Sequence, residues 1–378
     1  LMHSLSRSIL IPALTLAAAA TGYVVWHTLN REKIHASSDG VVQQVDEPQQ
    51  ARLVFAGDLM QHMPQVRAAR RPNGTFDYSE TFRYVKPIFE EADFAMLNFE
   101  TTLTPTSRYT GYPMFRSPAQ LADAIRDIGI DAVVMANNHI CDNGRTGIEY
   151  MTTRFDSLGI VHTGAFIDST RYRMNHPLRF EVKGIRFALL NYTYDTNGVP
   201  IPKGTIVNLI DTTAIQNDLR RIDRSETDCI IVFFHWGDEY VRKPNNTQRK
   251  LAELCHRYGT EIVMGSHPHV IQPFETRYDT DSIVRSVTVY SLGNFVSNQR
   301  DRYKNGGLIV TLDVEKRNEQ IEICPYYTPV WVSMPNYRIL PPSVADTLPL
   351  PSGQRESYRQ FIRDTRTLLN DDRIFKER

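Results

Sequence analysis

Imidazole, carboxylate and carboxamide side chains gather in this chain at the ends of short apolar runs, where together they could hold divalent metal and move protons. GDLMQH (57–62) brings Asp58 and His62, and NFETTLT (98–104) brings Asn98 and Glu100. NNHICD (137–142) adds Asn138, His139 and Asp142, FFHWGDE (233–239) adds His235, and GSHPH (265–269) places His267 and His269 on either side of a proline. Hard cations favour carboxylate oxygens, borderline cations accept imidazole and amide oxygen, and a metal pair needs an anionic bridge. Taken alone, Asp58 after Gly57 is an ordinary turn or cap residue, and Glu100 an ordinary solvated carboxylate. Two asparagines and a histidine directly after the apolar DAVVMA run are more pointed, although an Asx-turn would use the same residues. His235 leaves the apolar IIVFF run either as a satisfied core histidine or as a ligand. In SHPH the proline stiffens the turn, and alternate spacing can aim two imidazoles at neighbouring metals.

The apolar runs at 53–56, 94–97, 132–136, 230–234 and 261–264 read as buried strands. Helical patterns at 79–91, 118–128 and 144–158 alternate with the first of them, the signature of βαβ units. Leu121, Ala124, Ile125 and Ile128 recur at three-and-four spacing, while Gly129 and Gly159 fall where C-terminal caps belong. A second block has strands at 178–182, 186–192 and 287–292, helices at 213–223 and 246–258, and a closing hairpin of 307–313 and 320–326 around VEKRNE. An amphipathic helix is expected at 355–369. The polar clusters thus lie at the carboxyl ends of strands, the edge at which open α/β sheets bind ligands. They are spread over one domain of 51–330, followed by a C-terminal extension of 331–378.

With 378 residues and 41% apolar content, the chain can bury a full core. Its 43 basic and 43 acidic residues cancel and form no basic stripe, which excludes nucleic acid as the expected partner. Four scattered cysteines make neither a disulfide framework nor a zinc motif. Residues 9–26 (ILIPALTLAAAATGYVVW) are uncharged and end in an interfacial aromatic pair. They are expected to form an uncleaved signal anchor over 1–29, with cleavage after the alanine run as the alternative. A polar stalk at 30–50 follows, and the rest is expected outside the cytoplasmic membrane, periplasmic or extracellular.

AGDLM (56–60), LNFETTLT (97–104), ANNHICDNG (136–144), FFHWGDEY (233–240), GSHPHVIQPFE (265–275) and YSLGNFV (290–296), in this order, resemble the CapA family. These are the capsule-synthesis and poly-γ-glutamate-synthesis proteins of the metallophosphoesterase-like superfamily. The resemblance implies a four-layer α/β/β/α sandwich behind an N-terminal membrane helix, and work on an anionic polymer beside a membrane synthase or export complex. It further implies one or two manganese, iron or zinc ions. Asp58 and His269 would hold one, Asn138, His235 and His267 the other, with Glu100 as bridge and His139 as general acid. Two positions depart from the superfamily pattern: Met60 replaces a histidine, for which His62 could substitute, and Glu100 replaces an aspartate. Asn98 and Asp142 are further candidates for the site, with Arg116 and Arg145 as candidate substrate contacts. A non-catalytic polymer-binding scaffold and a metal-dependent phosphodiesterase of small substrates are the competing readings.

Overall fold

The structure, a computed structural model, describes residues 48–317, 319–369 and 375–378. The anchor expected at 9–26 and most of the stalk lie outside the described residues. Among the described residues no helix is long and apolar enough to cross a membrane.

Two sheets face each other. The nine-stranded sheet runs Arg338–Leu340, Gln320–Ser333, Gly306–Arg317, Gln49–Leu59, Phe94–Phe99, Ala132–Val134, Val161–Thr163, with Asn294–Val296 paired to the Gln49–Leu59 strand and Lys376–Glu377 to Gln320–Ser333. The six-stranded sheet runs Ile271–Tyr278, Val284–Leu292, Ile262–Ser266, Cys229–His235, Ile185–Thr193, Leu178–Val182. The strands that end in the polar clusters pair in parallel: Gln49–Leu59 with Phe94–Phe99 and Phe94–Phe99 with Ala132–Val134 in one sheet, Cys229–His235 with Ile262–Ser266 in the other. Parallel strands are covered on both faces, so their sequences read as continuous apolar runs without polar alternation.

Alternate side chains nevertheless face different layers. Leu53, Phe55, Met96 and Val134 meet Phe187, Leu189, Ile231, Phe233 and Met264 between the sheets. Val54, Ala56, Leu97 and Val133 point outward to Leu121, Ile125, Ile148 and Phe155 on the helices Gln120–Asp127 and Gly144–Leu158. Leu190, Val232 and Val263 do the same toward Ile215, Leu219, Leu251 and Cys255 on Thr212–Arg220 and Asn246–Arg257. The result is a mixed α/β architecture with helices outside both sheets. Gly129 and Gly159 adopt φ +99° and +68°, the left-handed conformation their helix ends require.

Several expected boundaries move. The first strand starts at Gln49, within the expected stalk. The helix anticipated over 79–91 splits into Ser79–Phe82 and Lys86–Glu90. Pro87, with no N–H to return to the carbonyl four residues back, accounts for the break. VEKRNE is mostly strand, because Gly306–Arg317 and Gln320–Ser333 extend to the turn with unbroken antiparallel register. The domain boundary expected at 330 falls inside that second strand. Chain beyond it stays in the core: Trp331, Tyr358, Phe361, Ile362 and Phe375 are buried in the inter-sheet cluster, and the last helix is Ser352–Leu369.

Candidate metal centre

Asp58 ends one strand, Asn98 ends its parallel neighbour with Glu100 just beyond, and Asn137, Asn138 and His139 follow the third. From the opposite sheet, His235 ends its strand and His267 and His269 follow Ile262–Ser266. Two sheet edges therefore meet with their carboxyl ends together. Asp58, Glu100, Asn138, His139, His235, His267 and His269 are all buried, at 3% exposure or less. Close backbone approach makes this possible: Asp58 N–H donates to Gly293 O at 3.0 Å, and a Cβ on Gly57 would collide with that same carbonyl.

Asp58 has partners on both carboxylate oxygens. Asn98 Nδ2 donates to Oδ1 at 2.8 Å, while His269 Nδ1 (3.1 Å) and the His267 backbone N–H (3.3 Å) donate to Oδ2. Burial alone would raise its pKa, but the bond and charge of His269, with His235 and Asn98, hold it well below the usual carboxylate range. Glu100 is the opposite case, since neither carboxylate oxygen has a hydrogen-bond partner. Burial, and then the nearby Asp58 charge, push it well above its ordinary value. His267 Nδ1 is likewise buried without a partner, and burial together with His269 lowers that ring to about 3. His235 is pushed well below its ordinary value by burial and by His267. It sits between Asn98 Nδ2 at Nδ1 (3.2 Å) and Asn138 Oδ1 at Nε2 (2.9 Å), which places its proton on Nε2.

Ligand atoms of Asp58, Glu100 and His235 lie within 4.8 Å of one another, and so do those of Glu100, His267 and His269. This grouping cuts across the partition implied by the family resemblance, which put His235 with His267. Glu100 is common to both groups, the place a bridging carboxylate must occupy. Orphaned buried donors of mixed carboxylate and imidazole type are the chemistry that a divalent cation satisfies, and the residues present fit one.

His139 stands beside these groups with Nδ1 donating to Asp142 Oδ2 at 2.8 Å. Asp142 also accepts the Phe115 N–H at 2.6 Å, and the Phe115 ring packs edge-on to His139 at 4.6 Å. His62 does not join the donor groups. It precedes the helix Met63–Ala69, its Nδ1 lies 3.2 Å from Gln65 Oε1 and 3.3 Å from Asn298 N, and its ring packs against Phe115. A helix start needing a partner for its first turn captures this histidine. Arg145 is taken up by Glu149 and the Lys203 carbonyl on an exposed helix face. Arg116 pairs through its backbone with Thr110, and its Nε is buried without a partner.

Two residues that position the centre went unread in the sequence. Asn294 Oδ1 lies 3.1 Å from His269 Nδ1, and its Nδ2 donates to the Lys304 carbonyl at 2.8 Å. The signal was the GNF triplet inside YSLGNFV. Asn191, fully buried, accepts the Ala136 N–H at 2.7 Å and donates to the Phe233 carbonyl at 3.0 Å, clipping the two sheets together just beneath Asn138 and His235. A lone asparagine in an apolar strand carries no local pattern that separates it from any buried polar residue.

The family described as bacterial capsule synthesis protein PGA_cap matches residues 52–299. The chain is 29% identical over 251 residues to the PGA biosynthesis protein CapA of Bacillus subtilis, covering 65% of this chain and 63% of that protein. It is 27% identical over 277 residues to the capsule biosynthesis protein CapA of Bacillus anthracis, covering 70% of this chain and 64% of that one. It thus spans less than two thirds of either relative's length. Among solved structures, NAD nucleotidase of Haemophilus influenzae is similar at 11% identity with a TM-score of 0.48, over 88% of this chain and 57% of that one. On the match at 52–299, which takes in every group of the buried centre, this chain belongs to the bacterial capsule synthesis family.

Proposed function

We propose that this chain performs metal-dependent hydrolysis or group transfer on a polymer of the bacterial cell envelope, a capsular polysaccharide or poly-γ-glutamate, through a metallophosphoesterase-like centre. The observation that carries this reading is the buried pair of unpartnered groups, Glu100 and His267 Nδ1, within reach of Asp58, His235 and His269. Buried polar atoms without hydrogen bonds are costly and few in a protein core, and these two stand where carboxylate and imidazole donors converge, which supports a ligand that completes them. Glu100, Asp58, His235, His267 and His269 would hold one or two divalent cations, manganese, iron or zinc, with Asn138 as an oxygen donor. Bound there, the cation would polarise the electrophilic centre and stabilise developing negative charge.

His139 supplies the proton. With Nδ1 committed to Asp142, Nε2 is the atom free to deliver it to a leaving group, and Asp142 fixes the ring's orientation. Asn98 Nδ2 lies against both Asp58 Oδ1 and His235 Nδ1 and so holds these two donor side chains in fixed relation, while His235 Nε2 would have to give up its bond to Asn138 Oδ1 to take a cation. The polymer is expected to be anionic overall, with Arg116 as a contact and a membrane synthase or export complex as partner, and the reaction is placed outside the cytoplasmic membrane. His139→Ala should lower kcat about 100-fold or more while metal content stays at the parental level. Equal kcat in both proteins would remove the general-acid role. Retention of polymer binding after chelation, with no turnover under any metal, would favour the scaffold reading instead.

A further inference from the structure

An asparagine ligand works only if its carboxamide oxygen faces the cation and its nitrogen faces away. For Asn138 a chain of bonds fixes that orientation. Asn98 Nδ2 meets His235 Nδ1 at 3.2 Å, so the ring proton lies on Nε2, and Nε2 donates to Asn138 Oδ1 at 2.9 Å. Asn138 Nδ2 in turn donates to Asn197 Oδ1 at 3.2 Å. Turning the Asn138 amide over would set donor against donor at His235 and acceptor against acceptor at Asn197.

Asn197 reaches Asn138 from the other sheet. Asn138 follows Ala132–Val134, whereas Asn197 stands in the loop after Ile185–Thr193. In that loop the Val199 N–H donates to the Thr196 carbonyl at 2.9 Å around Asn197 at φ +52° and Gly198 at φ +68°, the two positive angles of a type I′ turn. Thr196 braces the turn, its hydroxyl donating to the Val199 carbonyl at 2.7 Å and its N–H to Asp195 Oδ1 at 2.6 Å. The Tyr194 hydroxyl approaches Asn197 Oδ1 at 3.4 Å. Such a turn accepts glycine, asparagine or aspartate at its first central position. Of these only asparagine supplies a neutral acceptor to Asn138.

Metal binding removes one of the two bonds that orient Asn138, since His235 Nε2 cannot both donate to Asn138 and ligate a cation. The bond from Nδ2 to Asn197 needs no such exchange. We propose that Asn197 is a positioning residue of the metal centre, accepting from Asn138 Nδ2 so that Asn138 Oδ1 is presented to the cation. The inference rests on the reading of Asn138 as an oxygen donor and adds the residue that aims it.

Metal-competition titration of the full chain with cobalt(II), whose visible absorption reports its ligands, tests this on Asn197→Gly and Asn197→Asp. Glycine keeps the turn and removes the acceptor, so affinity should fall about tenfold, within the ~10–100-fold typical of losing an outer partner, and the cobalt spectrum should change. Aspartate keeps both turn and acceptor and should hold affinity at or above the parental level. In an Asn138→Ala background, Asn197→Gly should cost nothing further. Three results would overturn the positioning role: parental affinity in Asn197→Gly, as water standing in for Asn197 would give, an equal loss in Asn197→Asp, or an undiminished effect in the Asn138→Ala background. In the metal-free chain the His235 Nε2 proton should give a nitrogen-coupled NMR signal that Asn138→Ala removes, Asn197→Gly weakens and Asn197→Asp retains. That pattern in a chain that takes up no metal would leave the orienting of Asn138 by Asn197 standing and remove the metal reading. A signal indifferent to Asn197→Gly in such a chain would remove both.

Discussion

On the helix-covered face of the six-stranded sheet, His176, Asp218, Tyr192 and Asn208 form a buried polar network, and at the sheet's carboxyl edge Glu100, His267, His269, Asp58 and His235 form another. The first is closed. Asp218 Oδ2 lies 2.9 Å from His176 Nε2 and accepts the Tyr192 hydroxyl at 2.8 Å, while Asn208 Nδ2 meets His176 Nδ1 at 3.2 Å and donates to the Asn191 carbonyl at 3.0 Å. In the second, Glu100 and His267 Nδ1 have no hydrogen-bond partner, and Glu100 has only the looser approach of His235 Nε2 at 3.6 Å and His269 Nε2 at 3.7 Å. Similar residue types thus serve opposite ends. A satisfied network fixes the packing of strand, loop and helix, whereas an unsatisfied one stores unfavourable free energy that a ligand can release.

That contrast predicts opposite responses to removing a carboxylate. Glu100→Gln should lower metal affinity about 100-fold or more, beyond the ~10–100-fold typical of losing an outer partner, while leaving the metal-free chain as stable as the parent or more so. Metal-competition titration and chemical denaturation check the two halves. Asp218→Ala should do the reverse, costing about 2–3 kcal/mol of stability by stranding His176 and the Tyr192 hydroxyl, with metal content unchanged. If both substitutions destabilised the metal-free chain equally, the distinction between the two networks would be lost.

Protons sharpen the same comparison. Because burial and Asp58 raise Glu100, metal binding should expel a proton from it, and apparent affinity should rise with pH. Calorimetry in two buffers of different ionisation heat would show the release, and Glu100→Gln should remove it. His267 is depressed to about 3, against about 6.5 in the unfolded chain. Below about 6.5 the unfolded state takes up a proton that the folded state refuses, so the metal-free chain should lose stability as pH falls from about 6.5 toward 3. His267→Gln should flatten that slope. A smaller effect is expected at the rim of the centre: Asn294→Ala should weaken metal binding about tenfold by freeing the His269 ring, with little change in fold.

Much of this was legible in the sequence, and for identifiable reasons. Strands buried on both faces write uninterrupted apolar runs, so 53–56, 94–97, 132–136, 230–234 and 261–264 could be read directly, and the polar residue that ends each run stood out against it. Gly129 and Gly159 marked helix ends because no other residue takes φ of that sign so cheaply. What sequence could not supply was mutual position. His62 looked like a substitute ligand by its spacing from Asp58 but is held at a helix start beside Phe115. Arg145 looked like a substrate contact but binds Glu149 one helical turn away. Asn191 acts through a contact between different sheets, and no local pattern records a partner from the opposite sheet. The C-terminal segment read as an extension because its prolines and polar turns hide Trp331, Tyr358 and Phe375, which complete the core.

The most direct test is elemental mass spectrometry of the purified full chain beside Glu100→Gln and a His267→Ala, His269→Ala double variant. The account predicts about one or two equivalents of manganese, iron or zinc in the parent, lost in both variants. A parent that takes up none of these metals, or variants that retain as much as the parent, would contradict it.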